Sequence, residues 1–296
     1  MKYRFLLLLP LLGAKISLAQ NTDKVGQLIS AENFFVASAK EKGIKKAFLS
    51  VSDDNTTIFR SGPVKARDFF KDQPDSSGYL SWEPVYARIA KSGDWGFTTG
   101  SFVFKKQDTS SSVSYGDYIS IWKKNNKGVW KLAVDLGISH KKPLTIPKLV
   151  FSNPKNDVYQ KQHSESRLQQ REEIVFSSDK LLSTILKADN LIAQTEFLAA
   201  ESRLLFPGFE PITGKSKITE FWKKQGLKMT SEPIMADRSL SGELAYTYGQ
   251  AEIIQKGLVK KYNYVRIWEV QPGYMWNIIL EAYTENTADN PKTASR

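Results

Sequence analysis

The chain has 296 residues, room for about two domains, and its 41% hydrophobic content excludes wholesale disorder. The absence of cysteine excludes thiol nucleophiles, cysteine-ligated zinc, iron–sulfur clusters, disulfides and a lipid anchor on a leader-site cysteine. The net charge of +11 comes from lysines and arginines that never run five in a row, the pattern of a solvated surface rather than a nucleic-acid tract.

Met1-Lys2-Tyr3-Arg4, the apolar run Phe5 to Leu12 and the small-x-small step Ser17-Leu18-Ala19 have the layout of a secretory leader, with cleavage expected after Ala19. That predicts a periplasmic or secreted protein. Pro10 and Lys15 interrupt the run, which is short of the roughly 20 residues that span a bilayer, so no membrane anchor is expected. Lys2, Arg4 and Lys15 leave with residues 1–19, taking the charge from +11 to +8.

The first copy of the fold is assigned to 20–139. Val25, Leu28, Ile29, Phe35, Val36 and Ala39 form the stripe of an opening helix that Gly43 stops. A short helical or turn region, Ala47 to Ser52, is followed by a brief strand and turn at Thr57 to Pro63 and a small helix with Phe69-Phe70. About four long strands then turn at Ser92-Gly93-Asp94 and Asn125 to Gly128. A linker spans 140–176, with Pro143, Pro147 and Pro154 and then a polar stretch from Asp157 to Glu173 open to helix.

The second copy, 177–284, repeats the plan. Ser178 caps a helix with stripe Leu181, Leu182, Ile185, Leu186 and Ile192. Phe197 to Arg203 reads as helical or turn, Leu204 to Gly208 as brief strand and turn, and Phe221-Trp222 as small helix. The last hairpin turns at Gln271-Pro272-Gly273, and a polar tail, 285–296, is expected to be disordered.

The duplication is read from residue matches. At an offset of 149, Glu83-Pro84 falls on Glu232-Pro233, Ser92-Gly93-Asp94 on Ser241-Gly242-Glu243, Thr98 on Thr247 and Gly100 on Gly249. At an offset of 146, Tyr118 to Trp122 fall on Tyr264 to Trp268, Trp130 on Trp276 and Asp135 on Glu281. Helices first and a meander after is the α+β pattern, with the opening helix covering the apolar face of an antiparallel sheet.

The stretch AENFFVASAKEKGIKKAFLSVSDDNTTIFRSGPVKARDFF resembles the start of the nuclear transport factor 2-like superfamily, in its SnoaL-like branch that includes domain of unknown function 4440. AAESRLLFPGFEPITGKSKITEFW and the two closing hairpins resemble it again. The resemblance implies two tandem cone-shaped domains, each a strongly bent sheet wrapped around a long helix with a pocket at its open end. Members include isomerases, dehydratases, cyclases and plain binders, so the fold does not name an activity.

Asp135 and Glu281 hold matching places on the last strands. A carboxylate facing an apolar pocket has a raised pKa and moves protons, whereas one at a strand end facing water only braces a turn. Strict alternation places Lys131, Ala133 and Asp135 on one face and Trp130, Leu132 and Val134 on the other. The same rule sets Asn277, Ile279 and Glu281 opposite Trp276, Ile278 and Leu280. Trp122 and Trp268 either floor a pocket or fill the core, Trp130 and Trp276 read as core, and Tyr118 and Tyr264 either donate to a ligand or rest on the sheet. Tyr86 and Arg88 stand where the second copy has Met235 and Asp237, which argues for unequal pockets. His140 and His163 have no partner at metal-ligand spacing, and no phosphate loop is present, so no metal or cofactor is expected.

The tentative pocket set is therefore Tyr118, Trp122, Asp135, Tyr264, Trp268 and Glu281. The leading expectation is a protein that binds a small apolar or aromatic molecule, with the two sheets paired as an intramolecular pseudo-dimer or through a homodimer. The rival is an isomerase, dehydratase or cyclase with Asp135 or Glu281 as proton shuttle, marked by a second acid or tyrosine in the same pocket. A scaffold with filled cones is the third.

Overall fold

Asp23 opens the first helix by accepting a hydrogen bond from Gly26 N, and Gly43, at φ 86°, closes it with its N–H on the Ala39 carbonyl. The computed structural model describes residues 23–74, 78–106, 112–161 and 164–287. The expected leader at 1–19, His163 and residues 288–296 of the expected tail lie outside the described residues.

Helices α1 (Lys24–Lys42) and α2 (Ile44–Val51) lead into β1 (Ser52–Phe59), β2 (Pro63–Lys65), α3 (Ala66–Lys71) and four long strands. These are β3 (Gly78–Ile89), β4 (Trp95–Lys106), β5 (Val113–Lys124) and β6 (Trp130–His140), followed by the short β7 (Val150–Ser152). The second unit repeats the order as α4 (Glu165–Ala188), α5 (Asn190–Phe197), β8 (Leu198–Leu205), β9 (Ile212–Thr213) and α6 (Lys215–Gln225). Its long strands are β10 (Lys228–Arg238), β11 (Leu244–Gln255), β12 (Leu258–Val270) and β13 (Trp276–Glu285).

The sheets run β2-β1-β6-β5-β4-β3-β7 and β10-β11-β12-β13-β8-β9. Both are mixed, which corrects the expected antiparallel sheets: the long strands form an antiparallel meander, but β1 runs parallel to β6 and β8 to β13 because each arrives from a helix rather than a hairpin. The linker contributes β7, parallel to β3 and unforeseen because three residues carry no periodicity. Each opening helix lies in the hollow of its sheet. Leu28 and Phe35 pack there with Phe48, Phe70, Trp82 and Trp122, and Leu182 and Leu186 with Phe221, Trp222 and Trp268.

The second opening helix starts at Glu165, far ahead of Ser178. Ser178 sits inside it with Oγ bonded to the Ile174 carbonyl, so a serine read as a cap is a mid-helix residue satisfied by its own turn. Leu181 and Ile192 are half exposed, while Val175, Leu182 and Leu186 are buried. From Leu198 the segment read as helical or turn is strand β8, held by β13. Pairing across the sheet overrides its Ala/Glu-rich local preference.

Two devices bend each sheet. Pro84 pairs with Gly100 and Tyr86 with Thr99, leaving Val85 as a bulge; Pro233, Gly249, Met235 and Tyr248 do the same around Ile234. A Cβ on Gly100 would collide with the Glu83 carbonyl oxygen, and one on Gly249 with that of Glu232, so each bulge requires glycine opposite it. This close approach explains the Glu-Pro and Gly matches between the halves. The second bulge lies on the last strands, where Ala133 and Ile279 are the extra residues.

The outer faces of the two sheets meet. Trp95, Phe97, Ile119, Ile121, Val134 and Leu136 form one core with Tyr246, Val265, Ile267, Leu280 and Ala282. Trp95 and Tyr246 stack with centroids 6.3 Å apart.

Candidate functional site

The bulges at Ala133 and Ile279 decide where the two carboxylates point. Ala133 and Val134 both pack toward the seam, as do Ile279 and Leu280. Alternation therefore changes phase, and Asp135 and Glu281 end on the concave side with Trp130 and Leu132, or with Trp276 and Ile278. The strict period-two assignment of Asp135 with Lys131 and Ala133, and of Glu281 with Asn277 and Ile279, is corrected by these single-residue insertions.

In the first unit the concave side holds a cavity of about 240 Å³. Its walls are largely apolar, built by Phe35, Phe48, Trp82, Phe102 and Phe104 among others, with Asp135, Tyr118, Arg60 and Gly137 as its remaining surface. Asp135 accepts a hydrogen bond from Ser120 Oγ at 2.8 Å. Burial pushes its carboxyl up to about 6, with the Ser120 bond and the Arg60 charge acting in the opposite direction. Arg60 donates to the Phe59 carbonyl at 2.8 Å and lies 5.1 Å over the Phe69 ring.

Behind this wall lies a carboxyl that pattern reading passed over. Glu32, on α1, is fully buried and accepts from Trp82 Nε1 at 2.6 Å, Thr98 Oγ1 at 2.6 Å and Trp122 Nε1 at 2.8 Å. Burial raises its pKa to about 7 against the pull of these three donors. The signal was available: Glu32 interrupts the stripe Leu28, Phe35, Ala39 at a core position, where an unpaired acid is costly. Trp122 is thus a core residue tied to Glu32. Tyr118 lines the cavity, is 5% exposed, and its hydroxyl has no hydrogen-bond partner among the described residues.

The second unit uses the same positions to close itself. Where the first has Ser120, the second has Arg266; where the first has Gly137, the second has Tyr283. Arg266 is fully buried and bonds Asp179, the counterpart of Glu32, through Nη1 at 2.5 Å. Its Nε lies 3.7 Å from Glu281 Oε2, which accepts from the Tyr283 hydroxyl at 2.9 Å. Burial pushes the Glu281 carboxyl up, with Arg266 pulling against it. Tyr264 spends its hydroxyl on Asp179 at 3.0 Å, and Trp268 donates to Thr247 at 2.8 Å. Phe206 stands at the place of Arg60 and packs 5.8 Å from the Tyr283 ring. About 10 Å³ remains beside Arg266 and Glu281, at the limit for one water. An outer cleft of about 200 Å³ beside Phe206 and Tyr262 is lined by none of Tyr264, Arg266, Glu281 or Tyr283.

The remaining candidates lie elsewhere. Tyr86 and Arg88 face the seam, where Arg88 bonds Glu269 at 2.6 Å, so their divergence from Met235 and Asp237 concerns pairing of the sheets rather than a pocket. His140 bonds Asp117 at 2.6 Å away from the cavity. A groove of about 690 Å³ between the β5–β6 hairpin, α4 and β10 is larger, but its floor is crossed by the Lys123–Asp237 ion pair and its rim is solvated lysine and asparagine. Among the described residues no group of three His, Asp or Glu is placed to hold a metal, and no helix is long and apolar enough to cross a membrane.

No family model matches the sequence, and no curated protein matches it. Solved structures do, one unit at a time. A nuclear transport factor 2-like protein from Cytophaga hutchinsonii is 16% identical with a TM-score of 0.33, over 38% of this chain and 96% of its own. A ketosteroid isomerase described as putative, from Parabacteroides distasonis, is 18% identical with a TM-score of 0.32, over 38% and 86%. A superfamily member from Salmonella enterica is 17% identical with a TM-score of 0.32, over 41% and 93%. Each likeness covers a single unit at low identity. By its own elements the chain is two tandem α+β units, each a bent mixed sheet around its opening helix, matched in element order except for the extra β7 of the first.

Proposed function

We propose that the first cone binds a small, neutral, ring-sized molecule carrying one hydroxyl or carbonyl group, and that the second cone is its closed structural partner. The observation that carries this reading is the contrast beside the matched carboxylates: an aromatic-walled cavity of about 240 Å³ is open to Asp135 and Gly137, whereas about 10 Å³ remains beside Glu281 and Arg266. The second unit's own 240 Å³ cleft, at Ser231 and Ala251, is walled by polar and charged residues and does not reach Glu281. The open volume exceeds the ~150 Å³ that holds benzene in an engineered apolar cavity. The Tyr118 side chain forms part of the wall with its hydroxyl buried, and the Asp135 carboxyl offers the polar contact for the ligand's hydroxyl or carbonyl group. Arg60 balances the Asp135 charge, which favours a neutral ligand over an anion or a cation. The leader-like pattern of Met1 to Ala19 supports binding outside the cytoplasm.

Calorimetric titration with p-cresol, toluene and p-toluate tests the reading. The wild type is expected to bind p-cresol most tightly. Gly137→Tyr, which installs the second unit's residue where a Cβ meets only Phe102 at 3.6 Å, is expected to keep the melting temperature and lose all binding. Equal titration curves for wild type and Gly137→Tyr would overturn it.

A second reading is favoured by one observation: the Asp135 carboxyl, pushed up to about 6 by burial, opens onto the cavity, where a positioned carboxyl can take or give a proton. It predicts exchange of an acidic C–H of a bound ketone with deuterium, lost in Asp135→Asn while binding persists.

A further inference from the structure

The turns that betrayed the duplication also mark a pseudo-twofold axis. Ser92 meets its own counterpart Ser241: their hydroxyls are 2.7 Å apart, Ser92 N donates to Ser241 Oγ at 3.0 Å, and Ser241 N returns the bond at 3.2 Å. Lys91 N donates to Glu243 at 2.6 Å, and its counterpart Leu240 N donates to Asp94, the counterpart of Glu243, at 3.4 Å.

The same axis relates two ion pairs, and these are not alike in sign. Arg88 Nη1 lies 2.6 Å from Glu269, and Lys123 Nζ lies 2.8 Å from Asp237. Asp237 is the counterpart of Arg88 at offset 149, and Glu269 that of Lys123 at offset 146. The first unit therefore supplies both cations and the second both anions. If two first units met through this face, Arg88 would oppose Lys123 twice; two second units would set Asp237 against Glu269 twice. Each like-charge contact would form beside the apolar core of the seam, where screening is weakest.

We propose that this division of charge makes the sheet face of each unit a receptor for the opposite unit only, so that the partner a second copy of this chain can offer is its complementary half, through reciprocal exchange. The apolar core of the seam supplies adhesion without choosing between partners; the four ion-paired charges choose, although Arg203 of the second unit, 4.3 Å over the Tyr86 ring and facing Asp117, adds one cation of the opposite sense.

The test uses full chains. Arg88→Glu with Lys123→Glu makes one chain acidic on both faces, and Asp237→Lys with Glu269→Lys makes another basic on both. Each alone is expected to lose about 5 °C or more in melting temperature and to remain monomeric, because exchange between like chains rebuilds the same repulsion. Mixed and refolded together from denaturant, they are expected to give a 1:1 dimer of twice the mass by light scattering. The fourfold variant, with all charges reversed, is expected to return to a monomer of wild-type melting temperature. Twofold variants as stable as wild type, a mixture that stays monomeric, or a fourfold variant that does not recover would each overturn the proposal.

Discussion

Glu32 and Asp135 show what single residues do here. Both carboxyls are raised, to about 7 from 4.5 and to about 6 from 3.8, and burial is the main cause in each. Between the ordinary and the raised value the native state holds a proton that the unfolded chain has released. The stability this represents is complete at low pH and is lost as pH rises through the native value. The unfolding free energy is therefore expected to fall from pH 4 to pH 7, measured by urea titration at each pH. Asp135→Asn removes the part between about pH 4 and pH 6 and leaves the part belonging to Glu32; an unchanged slope in the variant would contradict the assignment. At this scale the sequence was informative where two copies could be compared. Asp135 and Glu281 were found by matching, but Ser120 against Arg266 and Gly137 against Tyr283 stand in the same two matched strands, and only their three-dimensional neighbours reveal that one pair opens a cone and the other seals it. Glu32 and Asp179 escaped because a stripe is read for its apolar members, and the charged residue inside it carries the information.

Single extra residues in strands set the faces of the elements. Alternation along β6 and β13 is legible only up to Ala133 and Ile279, because a bulge has no signature in apolar periodicity, and everything beyond it points the other way. The bulges on β3 and β10 did leave a mark, in Glu-Pro opposite Gly. Gly100→Ala is accordingly expected to cost about 3 kcal/mol, read from the denaturation midpoint, through collision with the Glu83 carbonyl. Gly137→Ala, on the neighbouring concave face with only Phe102 at 3.6 Å, is expected to cost little, so equal losses at both sites would contradict this account of the bend. Helix ends followed the same division. Gly43 was legible because its φ of 86° suits glycine, whereas Ser178 was misread because α4 extends back to Glu165 with too few apolar residues to announce itself.

At the scale of the molecule, the two matched units differ in their interiors, and the proposed binding belongs to the first alone. The seam buries the outer faces of both sheets and leaves both concave sides free, so one interior can be plugged by an ion-paired arginine without disturbing the other. An Asp–Arg–Glu cluster is an expensive filling in desolvation terms, and its complete burial argues that it specifies a closed second cone. The tandem α+β plan was legible because matched residues recur in order; the seam's polarity was not, because opposite charges at matched positions look like divergence until the axis brings them together. The central claim, one open cone and one closed, is tested most directly by the nitrogen-15 spectrum of the seven tryptophan indoles during titration with p-cresol. The Trp82 indole, which lines the cavity, is expected to shift with saturation while Trp268 and Trp276 stay fixed. Saturable shifts at Trp268 and Trp276 with Trp82 unmoved would contradict it.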